Sequence, residues 1–140
     1  MDKEQYPNYA GFETPEWVRE SLKRGDQLLL ALDNTEIIGT VRYSLDKVQG
    51  NKGFISRLAV LPEYRGNSYG ELLMGSAEAK MKQLGVSIIE LTIVADFIKL
   101  QQFYERLGYL PRETKTFPSV PFAVRFMEKE VTVDAPCKTL

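Results

Sequence analysis

The stretch EYRGNSYGELL (Glu63 to Leu73) decides the fold, because it joins a strand-like run to a helix-like run through two glycines, an arginine and small polar residues. The preceding run, FISRLAVL (Phe54 to Leu61), is aliphatic and β-branched and closes at Pro62, as a buried strand does. From Tyr69 to Leu84 apolar residues recur every three or four positions and Gly85 follows, which predicts a helix and its end. A turn alone would need only one of the glycines, so the connection itself requires an explanation.

The segment from Arg65 to Gly70 has the features of a phosphate-binding loop. Backbone N–H groups in the first turn of a helix have no partner inside the helix, and the helix dipole places partial positive charge there. Glycines let consecutive amides approach phosphate oxygens, and Arg65 adds a permanently charged donor. A Walker loop is excluded because Glu71 follows Gly70, and no acidic partner for a dinucleotide fold is evident. An ordinary glycine-rich turn is the alternative that these residues alone leave open.

The residue inventory excludes several kinds of site. The chain has no histidine and a single cysteine, Cys137, so a disulfide framework, a Cys/His zinc site and Ser-His-Asp or Cys-His catalysis are ruled out, and no metal is expected. The 18 Lys and Arg residues nearly balance the 19 Asp and Glu residues, so no overall field would draw the chain to nucleic acid or to a membrane. The length of 140 residues predicts a single domain, residues 1–140, with 1–13 and 134–140 irregular.

The beginning of the sequence carries no targeting signal that we can identify. Residues Met1 to Phe12 are polar and lack both a basic start with an apolar core and a small-residue cleavage site. No apolar run in the sequence has the length that spans a bilayer. A cytoplasmic location is the expectation that follows.

Helix and strand patterns follow one another from Thr14 to Val133. Thr14, Pro15 and Glu16 combine a hydroxyl cap, a proline at the first helical position and an acid in the first turn. The predicted order is helix, two strands, strand, helix, strand, helix and two strands, which is an α/β domain with a mixed sheet. The segments are a helix from Thr14 to Gly25, strands from Gln27 to Leu32, Glu36 to Leu45 and Phe54 to Leu61, a helix from Tyr69 to Leu84, a strand from Val86 to Ala95, a helix from Ile98 to Gly108, and strands from Tyr109 to Phe117 and Phe122 to Val133.

Two stretches, LAVLPEYRGNSYGELL (Leu58 to Leu73) and FYERLGY (Phe103 to Tyr109), resemble the GCN5-related N-acetyltransferase (GNAT) family. The phosphate loop of that family reads Gln or Arg, two variable residues, Gly, one variable residue, then Gly or Ala. The resemblance extends from about residue 14 to residue 133. It implies a GNAT-like mixed, mostly antiparallel sheet flanked by helices. Its central strands, here Phe54 to Leu61 and Val86 to Ala95, would splay apart to admit acetyl-CoA.

The resemblance also implies a set of functional residues. Backbone groups of Leu58 and Val60 would bond to the pantetheine arm as an added strand does, and the amides from Arg65 to Gly70 would bind the pyrophosphate. The amine enters from the opposite side and attacks the thioester directly, with a backbone amide near Val60 polarising the thioester oxygen. Tyr104 occupies the place of the family's proton donor to the CoA thiolate. The implied cofactor-binding residues are Leu58, Ala59, Val60, Arg65, Gly66, Asn67, Ser68, Tyr69 and Gly70.

The sequence departs from the family at several places. Ser68 stands where the loop has its central glycine, and a serine can still present its N–H there provided that positive φ is not required. Phe97 replaces an Asn that many members carry seven residues before the tyrosine. The segment from Phe54 to Arg57 lacks the glutamate base of many members, and Glu90 is the nearest alternative, although an acid on a strand is more often solvent-facing or paired. The first family strand is not evident before Thr14.

Three functions fit these observations. The first is acetyl transfer from acetyl-CoA, as co-substrate, to a primary amine by direct attack. The alternatives are a non-catalytic acyl-CoA-binding module and an interaction subunit on the same fold. Tyr104 shares an apolar helical stripe with Leu100, Phe103 and Leu107, so a packed core tyrosine is the other interpretation of this residue. The acceptor stays open among peptide, polyamine, amino acid and aminoglycoside, and a homodimer is an open expectation because family members are often dimers.

Overall fold

The computed structural model describes residues 14–132, and every helix and strand predicted between those bounds is present. The region before Thr14, where the first family strand is not evident in the sequence, and the segments 1–13 and 134–140, which were predicted to be irregular, lie outside the described residues. The helices are α1 (Pro15–Lys23), α2 (Tyr69–Gln83) and α3 (Ile98–Arg106), and the strands are β1 (Gln27–Asp33), β2 (Glu36–Leu45), β3 (Lys52–Val60), β4 (Ile88–Val94), β5 (Leu110–Thr116) and β6 (Ala123–Glu130). A short 3-10 turn, Pro62–Tyr64, connects β3 to the loop before α2.

The predicted start of α1 is confirmed in detail. The Thr14 hydroxyl accepts a hydrogen bond from the amide of Trp17 at 3.2 Å, and Pro15 takes the first helical position, where its missing N–H costs nothing. Gly25 follows the helix at a φ of +105°, a conformation that residues with a side chain rarely adopt.

The strands between residues 14 and 132 form one six-stranded sheet in the order β1-β2-β3-β4-β6-β5. Only the β3–β4 pair is parallel, and all other neighbours are antiparallel. The β3–β4 pairing joins Lys52–Phe54 to Ile88–Glu90 and then stops, although both strands continue. The central strands therefore separate over their C-terminal halves, which confirms the predicted mixed, mostly antiparallel sheet with splayed central strands.

The three helices cover opposite faces of this sheet. Gly53 on β3 lies against Met81 of α2, and Gly70 of α2 lies against Phe103 of α3, so α2 and α3 share one face. Alternate residues of β2 point to the other face, where the Arg42 guanidinium donates to Ser21 of α1 at 3.4 Å. The core lies between the sheet and the two helices α2 and α3. Its fully buried members include Val41, Met74, Met81, Val86, Ile89, Tyr109 and Met127. No helix between residues 14 and 132 combines the length and the apolar character that crossing a membrane requires.

A β-bulge interrupts β3 just before the point where the cofactor contacts are predicted. Thr40 pairs with Ala59 and Arg42 pairs with Ser56, so two β3 residues stand opposite one β2 residue. Arg57, in the bulge, has a φ of +56°, a left-handed conformation that costs a residue with a side chain about 1 kcal/mol. A bulge bends its strand locally, and this one lies in the part of β3 that no longer pairs with β4.

Candidate functional site

A cleft of about 490 Å³ opens where β3 and β4 separate. The end of β3 forms one wall, the loop between β3 and α2 forms its end, and α3 forms the other wall. This volume is in the usual range for a ligand site, and the lining is mostly apolar with a few polar groups. All of the residues predicted to bind cofactor line the cleft except Asn67, whose side chain donates to the Tyr64 carbonyl at 3.4 Å.

The backbone at the end of β3 faces the gap. The Leu61 amide donates to Ile38 on β2 at 2.8 Å, and because strand residues alternate, Val60 presents its amide and carbonyl to the opposite side, towards β4. The Val60 carbonyl accepts a hydrogen bond from the Arg65 Nε at 3.0 Å, which ties the loop to the strand. The free strand edge that an added strand would need is therefore present at the Val60 amide.

The amides of residues 66 to 71, which we call the amide loop, donate no hydrogen bond within the described part of the chain. The unpaired run begins at Gly66 rather than at Arg65, because the Arg65 amide donates to the Pro62 carbonyl at 3.2 Å. The run ends where α2 becomes regular, with the Leu72 amide donating to Ser68 at 3.0 Å. Six neighbouring donors at the positive end of a helix form an anion-binding concavity.

Ser68 adopts a positive φ, the conformation that the glycine at this position of the family loop made relevant. Its φ is +65° and its ψ is 16°, in the left-handed region, and its side chain makes no capping hydrogen bond to α2. Gly66 also has a positive φ, of +83°. The serine therefore carries backbone strain that a glycine at this position would avoid. Its N–H is nevertheless unpaired, so the loss of glycine costs stability rather than a donor.

The wall formed by α3 was only partly foreseen from the sequence. Leu100, Phe103 and Arg106 line the cleft at intervals of three residues, as one face of a helix does. A Cβ atom on Gly70 would lie 3.4 Å from Phe103 Cζ, an ordinary van der Waals distance, so α3 packs against the start of α2 at this glycine. Arg106 was not predicted as a site residue, because the apolar spacing of α3 indicates only its buried stripe.

Tyr104 lies behind this wall rather than in the lining of the cleft. Its side chain is buried, with its ring edge-on to Phe103 at 5.2 Å and to Tyr109 at 5.9 Å between centroids. Burial raises the pKa of Tyr104 to about 12. Its hydroxyl has no hydrogen-bond partner among residues 14–132, so it is available to a ligand that reaches it past Phe103.

A buried polar group, which we call the Glu78 cluster, lies beneath Tyr104. It consists of Glu78 on α2, Tyr109 after α3 and Lys129 on β6. The Tyr109 hydroxyl donates to Glu78 at 2.8 Å, and the Lys129 Nζ lies 2.9 Å from the other carboxylate oxygen. Burial, and then the neighbouring Glu78 charge, raises the pKa of Tyr109 well above its usual range. The cluster joins α2, the end of α3 and β6 below the cleft.

The two remaining positions of interest in the sequence do not enter the cleft. Glu90 pairs with Lys52 at 3.0 Å on the last rung that β3 and β4 share, which agrees with the paired interpretation of this acid. Phe97 stands at the start of α3 and is 54% exposed. Glu90 therefore does not provide an unpaired carboxylate, and Phe97 does not provide an amide side chain, in the gap between β3 and β4.

A second, smaller cleft of about 350 Å³ lies on the α1 face of the sheet. Ser56 and Arg57 of β3 line it, and they directly precede Leu58, which lines the first cleft. The two clefts thus approach each other from opposite faces at the bulge of β3. The other lining residues are Trp17, Glu20, Ser21, Arg24, Asp26 and Arg42.

Comparison with known proteins agrees with this geometry. A curated relative, N-alpha-acetyltransferase 30 of Schizosaccharomyces pombe, is 37% identical over 82 residues, which are 57% of this chain and 55% of the relative. The chain thus spans about half the length of the curated relative that it matches.

Solved structures share the fold at low sequence identity. The acetyl-CoA complex of a GNAT family acetyltransferase from Elizabethkingia anophelis has a TM-score of 0.70 and 16% identity, covering 84% of each chain. The coenzyme A complex of PaiA N-acetyltransferase from Thermoplasma acidophilum has a TM-score of 0.66 and 21% identity, covering 92% of this chain and 85% of that one. The model of the acetyltransferase (GNAT) family matches residues 2–109. The chain therefore belongs to the GNAT acetyltransferase family, as the sequence resemblance implied.

Proposed function

We propose that the protein is an acetyl-CoA-dependent N-acetyltransferase that transfers acetyl to a primary amine by direct attack. The amide loop is the observation that carries this proposal. Six unpaired donors at a helix N-terminus, at the end of a cleft between separating strands, match the shape and charge of a pyrophosphate joined to an extended arm. Membership of the GNAT family and the cofactor complexes of the structural relatives support acetyl-CoA as co-substrate.

The two ends of the cleft bind different parts of the cofactor. The pyrophosphate lies on the amide loop, where backbone donors and the Arg65 guanidinium offset its charge. The pantetheine arm runs along the edge of β3 and bonds to Leu58 and to the Val60 amide as an added strand would. The thioester then reaches the bulge at Arg57, where the two clefts approach each other.

The chemistry needs no covalent intermediate on the protein. The amine nitrogen attacks the thioester carbonyl, the new amide bond forms, and the carbon–sulfur bond breaks to release the CoA thiolate. A backbone amide near Val60 stabilises the oxyanion of the tetrahedral intermediate. The amine gives up one proton to water and the thiolate takes up one from water as it leaves the hydrogen bond of Tyr104, so the protons balance.

Tyr104 stabilises the leaving group through its hydroxyl. A pKa of about 12 keeps the phenol protonated at any working pH, so it is always able to donate to the sulfur. That pKa lies above the thiol pKa of about 8.5, so a hydrogen bond to the developing thiolate is favoured over complete proton transfer.

The amine approaches from the α1 face through the second cleft. A free α-amine, with an ordinary pKa of about 8, is partly neutral at pH 7 and needs little help from a base, whereas a lysine amine needs much more. Glu90 is already paired with Lys52, which favours an acceptor of the first kind. The relationship to N-alpha-acetyltransferase 30 points to the same class, so peptides with free α-amines are the first acceptors to test.

Two measurements test the proposal. Acetyl-CoA should raise the melting temperature, because a ligand that binds only the folded state stabilises it. CoA release, followed with a thiol reagent, should then appear with at least one member of a panel containing peptides, polyamines, amino acids and aminoglycosides. Stabilisation without release for any acceptor would favour the non-catalytic acyl-CoA-binding module, which the pairing of Glu90 and the presence of Phe97 make the second candidate. No stabilisation would exclude both and leave an interaction subunit.

A further inference from the structure

Two guanidinium groups line the cofactor cleft, and they differ in how they are engaged. Arg65 donates through Nε to the Val60 carbonyl at 3.0 Å, which directs it to the junction of strand and loop. Arg106 is exposed and makes no hydrogen bond or ion pair with any residue from 14 to 132. Glu71 is the only acid among the described lining residues, and it stands in the first turn of α2. Arg106 is therefore a cleft cation that no described protein group satisfies.

The position of Arg106 follows from the direction of α3. Phe103 packs against Gly70 at the start of α2, in contact with the amide loop. Arg106 lies about one turn further along the same face of α3, since residues three apart on a helix are neighbours. The wall of the cleft thus changes from apolar at Leu100 and Phe103 to cationic at Arg106, on the α2–α3 side of the amide loop.

The covalent order of coenzyme A assigns a ligand group to this place. From the thiol the molecule continues through pantetheine and pyrophosphate to a ribose that carries a 3′-phosphate and adenine. If the arm lies along β3 and the pyrophosphate on the amide loop, the ribose continues past the loop, and Arg106 lines the cleft on the α3 side of that loop. A phosphomonoester has its second pKa near 6 and is mostly a dianion at pH 7. The repulsion between this group and Glu71 needs a compensating cation.

We propose that Arg106 binds the 3′-phosphate of coenzyme A and makes the protein discriminate against cofactors that lack it. This inference rests on the proposed function and adds a specificity-determining residue to it. A guanidinium suits the task because it is always charged and can donate two parallel hydrogen bonds to one phosphate.

Calorimetric titrations of the full chain with coenzyme A and with 3′-dephospho-coenzyme A test the proposal. Wild-type protein should bind coenzyme A about fivefold to tenfold more tightly, as expected for a partly exposed charge-assisted contact. Arg106→Gln should lose most of that preference by weakening coenzyme A binding while leaving 3′-dephospho-coenzyme A binding unchanged. Arg19→Gln is the matched control, since Arg19 is also an exposed helical arginine without a partner in the described chain and does not line the cleft.

The possible outcomes separate this inference from the function beneath it. Equal binding of the two cofactors by wild-type protein, or an equal loss for both in Arg106→Gln, would overturn the 3′-phosphate assignment while cofactor binding itself stands. Absence of binding of either cofactor to wild-type protein would overturn the proposed function and this inference together. Preservation of the melting temperature in Arg106→Gln shows that the change in affinity is not a folding defect.

Discussion

The amide loop and the Glu78 cluster lie on the same side of the sheet but treat their polar groups in opposite ways. In the Glu78 cluster, the Glu78 carboxylate is bonded to the Tyr109 hydroxyl at 2.8 Å and to the Lys129 Nζ at 2.9 Å. In the amide loop, consecutive donors have no partner among residues 14–132, and Ser68 and Gly66 hold positive φ angles. The difference shows that the Glu78 cluster stabilises the fold, whereas the amide loop is suited to binding. Unpaired amides gain hydrogen bonds only when a ligand binds.

Removal of the Glu78 carboxylate should have the largest effect on stability. Glu78→Ala leaves the buried Tyr109 hydroxyl and the Lys129 ammonium without their acceptor, which should lower the free energy of unfolding by about 3 kcal/mol. Urea unfolding measures this value. Glu105→Ala, at an exposed position on α3 without a partner in the described chain, is the control and should change it by less than about 0.5 kcal/mol. If Glu78→Ala lowered the free energy of unfolding by as little as Glu105→Ala does, the contrast between the Glu78 cluster and the amide loop would be contradicted.

Tyr104 shares a feature with each region: its ring packs on Tyr109 of the Glu78 cluster, and its hydroxyl, like the amides of the loop, has no hydrogen-bond partner within the described chain. Tyr104→Phe keeps the ring and should lower kcat about a hundredfold with little change in the KM for acetyl-CoA. Steady-state kinetics with the best acceptor of the panel measures both constants. Full kcat in Tyr104→Phe across pH would assign this residue to the packed core alone.

Alkaline pH should weaken the fold through the same tyrosine. Burial raises the folded-state pKa of Tyr104 to about 12, above the ordinary value of about 10. A raised pKa contributes stability that is fully present below pH 10 and is lost as the pH rises through 12. Between pH 9 and pH 11 the free energy of unfolding should fall by about 1 kcal/mol because of Tyr104. Urea unfolding at both pH values, for wild type and for Tyr104→Phe, isolates it, and an identical pH dependence in the two proteins would contradict the assignment.

The smallest effects should come from backbone strain in the amide loop. Ser68→Gly relieves a left-handed serine but adds freedom to the unfolded chain, so it should raise the free energy of unfolding by only about 0.5 kcal/mol. Gly66→Ala introduces the same left-handed strain that Ser68 has and should lower the free energy of unfolding by about 1 kcal/mol. Nothing lies within 4 Å of the new Cβ, so no steric clash adds to this cost. Thermal unfolding of both variants tests the pair. A destabilised Ser68→Gly would mean that the serine side chain has a structural role of its own.

Most of the fold could be predicted from the sequence because its signals are local. The cap at Thr14, the breakers at Gly25 and Gly85 and the apolar periods of α2 and α3 each specify an element without knowledge of the rest. The family resemblance supplied the separation of β3 and β4, which the early end of their pairing confirms.

The site was less accessible to sequence reasoning because its details depend on packing. Two hydrogen bonds of Arg65, from its Nε to the Val60 carbonyl and from its amide to the Pro62 carbonyl, follow from how β3 ends, and no residue pattern encodes them. The positive φ of Ser68 was raised only as a question, by the glycine that the family has at this position. Arg106 reaches the cleft because α3 crosses the start of α2 at Gly70, a packing angle that periodicity does not contain. The role of Tyr104 and of the cofactor-binding residues stays a prediction.

The most direct test of the account is an NMR titration of the isotope-labelled protein with coenzyme A, following the backbone amide signals of residues 66 to 71. Amide protons that donate to phosphate oxygens move to lower field, so the account predicts large downfield shifts throughout the amide loop with coenzyme A. Pantetheine, which lacks the pyrophosphate, should leave these signals nearly unmoved while shifting those of Leu58 and Val60. Unchanged signals from residues 66 to 71 in the presence of saturating coenzyme A would contradict the claim that this loop binds the pyrophosphate.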